Sequence, residues 1–289
     1  MNQTNFQRSR RRLLKLAAAL VAAPRRSLGA EDIPLRIGLT PVFLDDQVGF
    51  LGRWRAWLEK KLLRPVVFIQ RGSYREIVEL LLARQIDFAW LCGYPYIRHR
   101  HRLQLVAVPL WRGRPLYQSY LIVPVEDEKS QSLMDLRGRV FAYSDPDSNS
   151  GFLYANYLLA KMGENPATFF SRSFYTWAHR KVIEAVGIGL AHGGAVDGYV
   201  WETLAEFHPS LARATRIIQR SGDLGFPPFV AREDIGRIEL EDFRSLLTGM
   251  ATDPEGTELL HAMRLDGFTA GSFALYEEIA RMARMVAQP

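Results

Sequence analysis

"SDPDSNSGFLYANYLLA" occupies residues 144–160, and its two halves obey different rules. The first nine residues hold three serines, two aspartates, an asparagine, a proline and a glycine, which is turn composition. The second half is apolar at helical spacing, so the turn leads straight into a helix. Immediately before it, "VFAYS" (140–144) is a short, apolar, β-rich run. Strand, polar loop and helix in that order form the repeating unit of a layered α/β domain. The loop also falls at the carboxyl end of a strand, where open α/β sheets place their ligands.

Outward from this point the same unit recurs in both directions. On the N-terminal side, "PLRIGLT" (34–40), "PVVFIQ" (65–70), "IDFAWLC" (86–92) and "LQLVAVPLW" (103–111) read as strands. Between them Phe50, Trp54, Trp57, Leu58 and Leu62 define one helix face, and Ile77, Val78, Leu81 and Leu82 another. The pattern predicts a mostly parallel sheet flanked by helices. "LYQSYLIVP" (116–124) is a long extended run, after which a fresh α/β series begins. It comprises "VFAYS", a helix from Gly151, "ATFFSRSFY", a helix from His179, "GAVDGYV" and "TRIIQ". "SGDLGFPPFVA" (221–231), punctuated by Gly225, Pro227 and Pro228, suits a return crossing, and helical segments close the chain. The expected organisation is one lobe from residues 31–121 plus 225–289 and a second from 122–224.

The formal charge of +6 suggests nucleic acid or an acidic surface as partner only until it is located. Seven of the 37 basic residues fall within the first thirty, which contain no acid, so over the remainder 30 bases face 31 acids. No nucleic-acid partner is expected. The N-terminal stretch reads instead as an export signal over residues 1–30, with a basic start and an apolar segment from Leu16 to Ala23. A cut after Gly29 would have Ser27 at the third position before it. Ser9, Arg10, Arg11, Leu13, Leu14 and Lys15 follow the twin-arginine pattern. A basic tail or an uncleaved anchor remains compatible with the same residues, and Arg25 and Arg26 make removal of the leader less clear than export. Cys92 is the sole cysteine, so an intrachain disulfide and a multi-thiolate metal site are both excluded. No metal or cofactor is expected.

Several strand-to-helix loops carry residues suited to binding. Ser148, Asn149, Ser150 and Gly151 fall where a helix N-terminus offers unpaired N–H groups to an anion, and a glycine permits close approach. Local spacing alone equally allows one of them simply to cap the helix. His179, in "YTWAHRKVIEAV", precedes the apolar side of the next helix, as a donor to an oxyanion or as a surface histidine. In "GAVDGYVWETL", Asp197 closes a strand and either meets a protonated oxygen or caps the following helix, where Trp201 also falls. In "LCGYPYIRHR", Tyr94 could present its hydroxyl to the crevice or pack under the loop, and Cys92 ends a strand. "HRHR" (99–102) reads as a solvated face. Ser150, His179 and Asp197 can be drawn as a hydrolytic triad, but G-x-S-x-G is absent and a loop crowded with donors is not a strained nucleophile elbow.

Together these loops resemble the phosphate/phosphite/phosphonate-binding proteins of bacterial ABC importers, a branch of the type II periplasmic solute-binding fold. The likeness spans residues 33–285 and rests on "RIGLTPVF", "DFAWLCGYPY", "YSDPDSNSGFLY", the pair "HRKVIEAV" and "GAVDGYVWE", and "RLDGFTAGSFALYEEI". The third is the most specific, because that family carries a similar Ser-Thr-Ser-Gly loop; here Asn149 replaces the threonine. The resemblance implies two hinged lobes that close on a small oxyanion. Ser148, Asn149, Ser150 and Gly151 would grip it, His179 would donate, Asp197 would meet a protonated oxygen and Tyr94 would close from the other lobe. It further implies a periplasmic, monomeric, non-enzymatic protein that serves an inner-membrane permease. Cys92 and Trp201 are additional candidate lining residues; a related branch binds arsenite for a sensor kinase, and Cys92 is where this chain would fit that alternative.

Overall fold

The computed structural model describes residues 33–40 and 48–287. The export signal expected over residues 1–30, the cut near Gly29 and Pro41–Phe43 of "RIGLTPVF" lie outside the described residues.

The first lobe is built on β1 (Leu35–Leu39), β2 (Val66–Gln70), β3 (Phe88–Trp90), β4 (Leu103–Leu110), β12 (Phe229–Arg232) and β13 (Gly267–Thr269), in the order β13-β4-β12-β3-β1-β2. The second is built on β6 (Ser119–Pro124), β7 (Val140–Tyr143), β8 (Arg172–Tyr175), β9 (Gly193–Asp197) and β10 (Thr215–Arg220), in the order β10-β6-β9-β7-β8. Two short crossing strands, β5 (Leu116–Tyr117) and β11 (Leu224–Gly225), pair antiparallel and connect the lobes.

Parallel pairing is confined to β2–β1–β3 and β8–β7–β9, so the expectation of mostly parallel sheets describes only part of each. The physical reason lies in the crossings. The chain leaves β5 directly into β6 and returns from β11 directly into β12, with no helix between to turn it. Each incoming strand therefore enters its sheet antiparallel to its neighbours.

The helices follow the apolar spacing. Along α1 (Val48–Leu62), Phe50, Trp54, Trp57 and Leu58 are all buried against the first sheet, and Trp54 stands 5.1–6.2 Å from the rings of Phe68, Trp90 and Phe229. α2 (Tyr74–Leu82) starts at Ser73, whose hydroxyl accepts from Glu76 N–H, and buries Ile77, Val78 and Leu81. α3 (Gly93–His99) follows β3 through Cys92. In the second lobe a π-helical turn, Asn149–Leu153, runs into α4 (Tyr154–Lys161), and a short α5 (Pro166–Phe169) precedes β8. α6 (His179–Gly187) and α7 (Gly198–Phe207) cover this sheet, and α8 (Pro209–Arg213) leads into β10. α9 (Arg237–Thr248), α10 (Pro254–Ala262) and α11 (Glu277–Val286) complete the first lobe. No described helix is long and apolar enough to cross a membrane.

Candidate functional site

Four segments converge from the carboxyl ends of β3, β7 and β9 and the start of α6. The loop after β7 is buried except at the half-buried Pro146: Ser144, Asp145, Asp147, Ser148, Asn149 and Ser150 all lie below one-tenth exposure. Serine and aspartate survive burial there because the loop supplies its own donors and acceptors. Ser148 Oγ accepts from Gly151 N–H at 2.9 Å, Asp145 Oδ1 accepts from Asp147 N–H at 2.7 Å, and Ser150 C=O accepts from Ser119 Oγ–H at 2.7 Å.

Three side-chain atoms in this loop break the pattern. Ser144 Oγ, Asn149 Oδ1 and Ser150 Oγ are fully buried and take no hydrogen bond from the described residues. An orphaned buried polar atom costs roughly 1–3 kcal/mol. Three of them at one helix entrance mark a place where a polar guest would be stabilised. Gly151 is required there: a Cβ on it would lie 1.9 Å from Ser144 Oγ and 2.9 Å from His179 Cε1. The glycine lets the backbone, the Ser144 hydroxyl and the imidazole share one small space.

His179, the first residue of α6, is 1% exposed. Burial alone pulls its pKa down to about 3, so the ring is neutral. Its Nδ1 accepts the backbone N–H of Asp197 at 3.1 Å, which places the single ring hydrogen on Nε2. That nitrogen faces the Tyr74 hydroxyl at 3.3 Å, so Nε2–H donates to Tyr74 Oη and leaves the phenolic hydrogen directed elsewhere. Tyr117 stands in the same relation to Asn149, whose Nδ2 donates to Tyr117 Oη at 2.7 Å. Both phenols are buried and are driven well above the usual tyrosine range first by burial, so both stay protonated as donors.

Asp197 ends β9 and caps α7, with Oδ1 accepting from Tyr199 N–H at 2.8 Å and Val200 N–H at 3.3 Å. Burial pushes its pKa up to about 7 against those two donors, so near neutral pH it either gives or takes a proton. From the first lobe Cys92 Sγ accepts Asn149 N–H at 3.2 Å. Burial pushes the thiol up to about 11, opposed by the N–H groups of Asn149, Tyr94 and Gly93. Cys92 and Asp197 lie close enough to Tyr74 and Tyr117 to raise both their pKa values.

The structure thus gathers Ser148, Asn149, Ser150, Gly151, His179, Asp197 and Cys92 into one neighbourhood. It does not bring Tyr94 or Trp201 there. Tyr94 is the second residue of α3, half-buried with Arg98 5.6 Å from its ring, and no described hydrogen bond joins it to the buried cluster. Trp201 lies in the fourth position of α7, where its Nε1–H donates to Thr215 Oγ1 at 3.1 Å and its ring meets Tyr120 edge-on at 6.2 Å. Sequence reasoning passed over Tyr74, Tyr117, Ser144 and Asp145. Tyr74 carried a signal, since it opens a helix after a strand; Tyr117, inside a crossing strand, carried none.

A catalytic relay is absent from these contacts. The backbone N–H of Asp197, not its carboxylate, meets His179, and no described hydrogen bond joins Ser150 Oγ to the imidazole. No group of three or more His, Cys, Asp or Glu able to hold a metal occurs among the described residues. The cluster sets neutral donors beside two buried carboxyls whose pKa burial raises, Asp197 and Asp145, and is suited to holding a small oxyanion by dipoles.

The family model described as the periplasmic substrate-binding protein of ABC phosphonate transporters matches residues 37–276. The phosphate-import protein PhnD of Mycolicibacterium smegmatis is 26% identical over 160 residues, covering 52% of this chain. That match spans about half of the relative's own length, at 49%. Among solved structures, a binding-protein component of an ABC phosphonate transporter from Pseudomonas aeruginosa superposes with a TM-score of 0.81 at 20% identity, covering 88% of this chain and 87% of the other. PhnD1 of Prochlorococcus marinus, solved with methylphosphonate, gives 0.79 at 18% identity, covering 88% of this chain and 98% of the other.

Proposed function

The chain belongs to the family of periplasmic substrate-binding proteins of ABC phosphonate transporters, and from that premise we propose that it captures a small phosphorus oxyanion between its lobes and delivers it to an inner-membrane permease. The observation that carries this reading is the pair Ser144 Oγ and Ser150 Oγ, buried, without partners and free to donate at a helix entrance, beside the unpartnered Asn149 Oδ1, which accepts only from a protonated ligand oxygen. The hydroxyls of Tyr74 and Tyr117 add two donors, and Asp197 adds a carboxyl that accepts from a protonated ligand oxygen or donates to an ionised one. The residues assigned to the ligand are therefore Ser144, Ser148, Asn149, Ser150, Gly151, His179, Asp197, Tyr74 and Tyr117. His179 acts by ordering Tyr74, to whose hydroxyl oxygen its one N–H donates.

Export through the N-terminal leader, action as a monomer and the lack of catalysis belong to the same reading. A thiol pushed up to about 11 is held protonated, which favours the phosphorus oxyanions over the arsenite-and-sensor alternative at Cys92. The test is a thermal-shift and calorimetry panel of phosphate, phosphite, methylphosphonate, sulfate and arsenite on protein begun at residue 31, with a generic ester as control for hydrolysis. A ligand at a hundred times its Kd adds about 2.7 kcal/mol of stability. The expected result is a shift with one or more phosphorus oxyanions and no ester turnover; no shift with any of them overturns the proposal.

A further inference from the structure

The loop that carries the site also carries the contacts that cross between the lobes. Asp145 and Asp147 immediately precede Ser148. Asp145 Oδ2 accepts the N–H of Tyr74, the first residue of α2 in the other lobe, at 3.0 Å. Asp147 Oδ1 pairs with Arg98 on α3, and its Oδ2 lies 3.8 Å from Arg75 Nε on α2. The Asp147 side chain is only 9% exposed although Arg98 and Arg75 are 46% and 66% exposed, so the carboxylate sits inside the seam with the cations at its rim.

Across the cleft, a second seam lines a cavity of about 320 Å³ with Arg112 paired to Glu202 at 3.3 Å and Arg264 to Glu206 at 2.7 Å. A fifth pair, Arg114 with Asp223, stands beside the crossing strands, and in all five the arginine belongs to the first lobe and the carboxylate to the second. Arg281 of the first lobe donates in the same direction, to Tyr157 Oη at 2.9 Å. The polarity is uniform, whereas the buried cluster itself is hydrogen-bonded without any arginine or lysine.

We propose that Asp145 and Asp147 are positioning residues that tie the Ser148–Gly151 loop to the first lobe on closure, and that ligand affinity in this protein is salt-dependent through closure rather than through charge at the site. The inference rests on the oxyanion-capture reading for its ligand, but closure itself has a readout that needs no ligand. A ligand held by neutral dipoles gives little salt dependence of its own. Exposed pairs weaken as the Debye length falls below about 10 Å near 0.1 M salt. Five such pairs at roughly 0.2–1 kcal/mol each are enough to shift an open–closed equilibrium by about tenfold. Asp147 meets two first-lobe arginines whose exposed heads leave both pairs open to screening, and so carries the largest share; Glu202 and Glu206 hold one each and carry less.

Cys92 supplies the probe. Its sulfur is 2% exposed and faces Asn149 N–H of the other lobe, and it is the only thiol in the chain. Alkylation of the intact protein by N-ethylmaleimide therefore reports opening, with the urea-unfolded protein at each salt concentration as the reference for intrinsic thiol reactivity. In wild type, the referenced rate should rise about tenfold between 20 and 500 mM NaCl. Asp147→Asn should label about tenfold faster at low salt and lose most of the salt dependence, with the melting temperature held within a few degrees. Glu202→Gln should change the rate less than about threefold. Arg98→Gln, at an exposed position, provides the same test if Asp147→Asn fails to fold. The phosphite Kd, or that of whichever panel member binds, should move in parallel. Referenced labelling that ignores both salt and Asp147→Asn or Arg98→Gln overturns the inference even where ligand binds. Salt-dependent labelling with no oxyanion bound would sustain the closure mechanism and sink the ligand reading alone.

Discussion

Two helix entrances face each other across the cleft, one after β3 and one after β7, and they solve the same problem in opposite ways. Both start in a β-to-helix corner, both carry a glycine in the first turn, and both are buried. At the first, Cys92 stands at the N-cap without a side-chain hydrogen bond to its own helix, and its sulfur accepts Asn149 N–H from across the cleft at 3.2 Å. That end is closed to a guest. At the second, Ser148 takes Gly151 N–H, and the neighbouring Asn149 Oδ1 and Ser150 Oγ remain without partners. Helix N-termini attract anions in general, but only the entrance that leaves side-chain polar atoms orphaned is organised to hold one.

The most drastic way to break this comparison is to add one methyl group at each glycine. In Gly151→Ala the new Cβ falls 1.9 Å from Ser144 Oγ and 2.7 Å from Ser144 Cβ, with the His179 ring at 2.9 Å on the other side. Nothing there can rotate clear, so about 3 kcal/mol or more of stability should be lost together with oxyanion binding. In Gly93→Ala the nearest atom is Ile279 Cδ1 at 2.6 Å, the end of a flexible side chain, with Tyr276 at 3.4 Å. That change should cost roughly 1 kcal/mol and leave a measurable Kd. Urea titration of both variants decides it; equal losses would mean that the two entrances are equally crowded.

Titration sharpens the comparison next, because the second entrance is flanked by two buried groups displaced in opposite directions. His179 is held at about 3 against an ordinary 6.5, so between those values the unfolded chain takes a proton that the fold refuses, and stability falls as the pH drops. Asp197 is held at about 7 against an ordinary 3.8, so between those values the fold keeps a proton that the unfolded chain has lost, and stability falls as the pH rises. Each slope has a limit of about 1.4 kcal/mol per pH unit, and over pH 4–6.5 the two nearly cancel. Asp197→Asn keeps the helix cap and removes one slope. Its stability should then climb with pH across that window by roughly 2–3 kcal/mol, while wild type stays nearly flat. A flat profile in the variant would place the imidazole in contact with water and remove the basis for its assigned tautomer.

Ser150→Ala probes the orphaned hydroxyl itself. Deleting a buried donor that has no partner among the described residues should leave stability unchanged or raise it by about 1 kcal/mol. The same deletion should weaken oxyanion binding by roughly 10–100-fold, the worth of one hydrogen bond to a charged group. A loss of stability with unchanged affinity would assign Ser150 to structure alone.

How much of this was legible follows from where each residue stands relative to its strand. Ser148, Asn149, Ser150, His179, Asp197 and Cys92 all sit at the junction of an apolar β run with a helix, a position that hydrophobic periodicity reveals. Tyr94 and Trp201 stand near similar junctions, but the Tyr94 ring lies beside Arg98 and Trp201 donates to Thr215, contacts that no β-to-helix pattern reveals. Tyr117 was invisible for a like reason: it stands in a crossing strand whose partner, β11, is about a hundred residues distant, and no local pattern encodes that pairing. The antiparallel insertions of β6 and β12 escaped detection likewise, since an apolar run looks the same in either direction.

The smallest expected effect concerns the closed entrance. In Cys92→Ser a hydroxyl replaces the thiol as the acceptor of Asn149 N–H. Oxygen accepts more strongly than sulfur but sits on a shorter bond, so the hydrogen bond is retained with altered length, and neither group is charged near neutral pH. Oxyanion affinity should therefore change by less than about threefold in calorimetry, because the thiol already accepts Asn149 N–H from the other lobe and is not one of the unpartnered atoms. A collapse of affinity would put Cys92 in direct contact with the ligand and make both entrances, rather than one, the binding surface. A near-neutral result would leave the asymmetry intact: one helix entrance filled by the protein itself, the other kept for the guest.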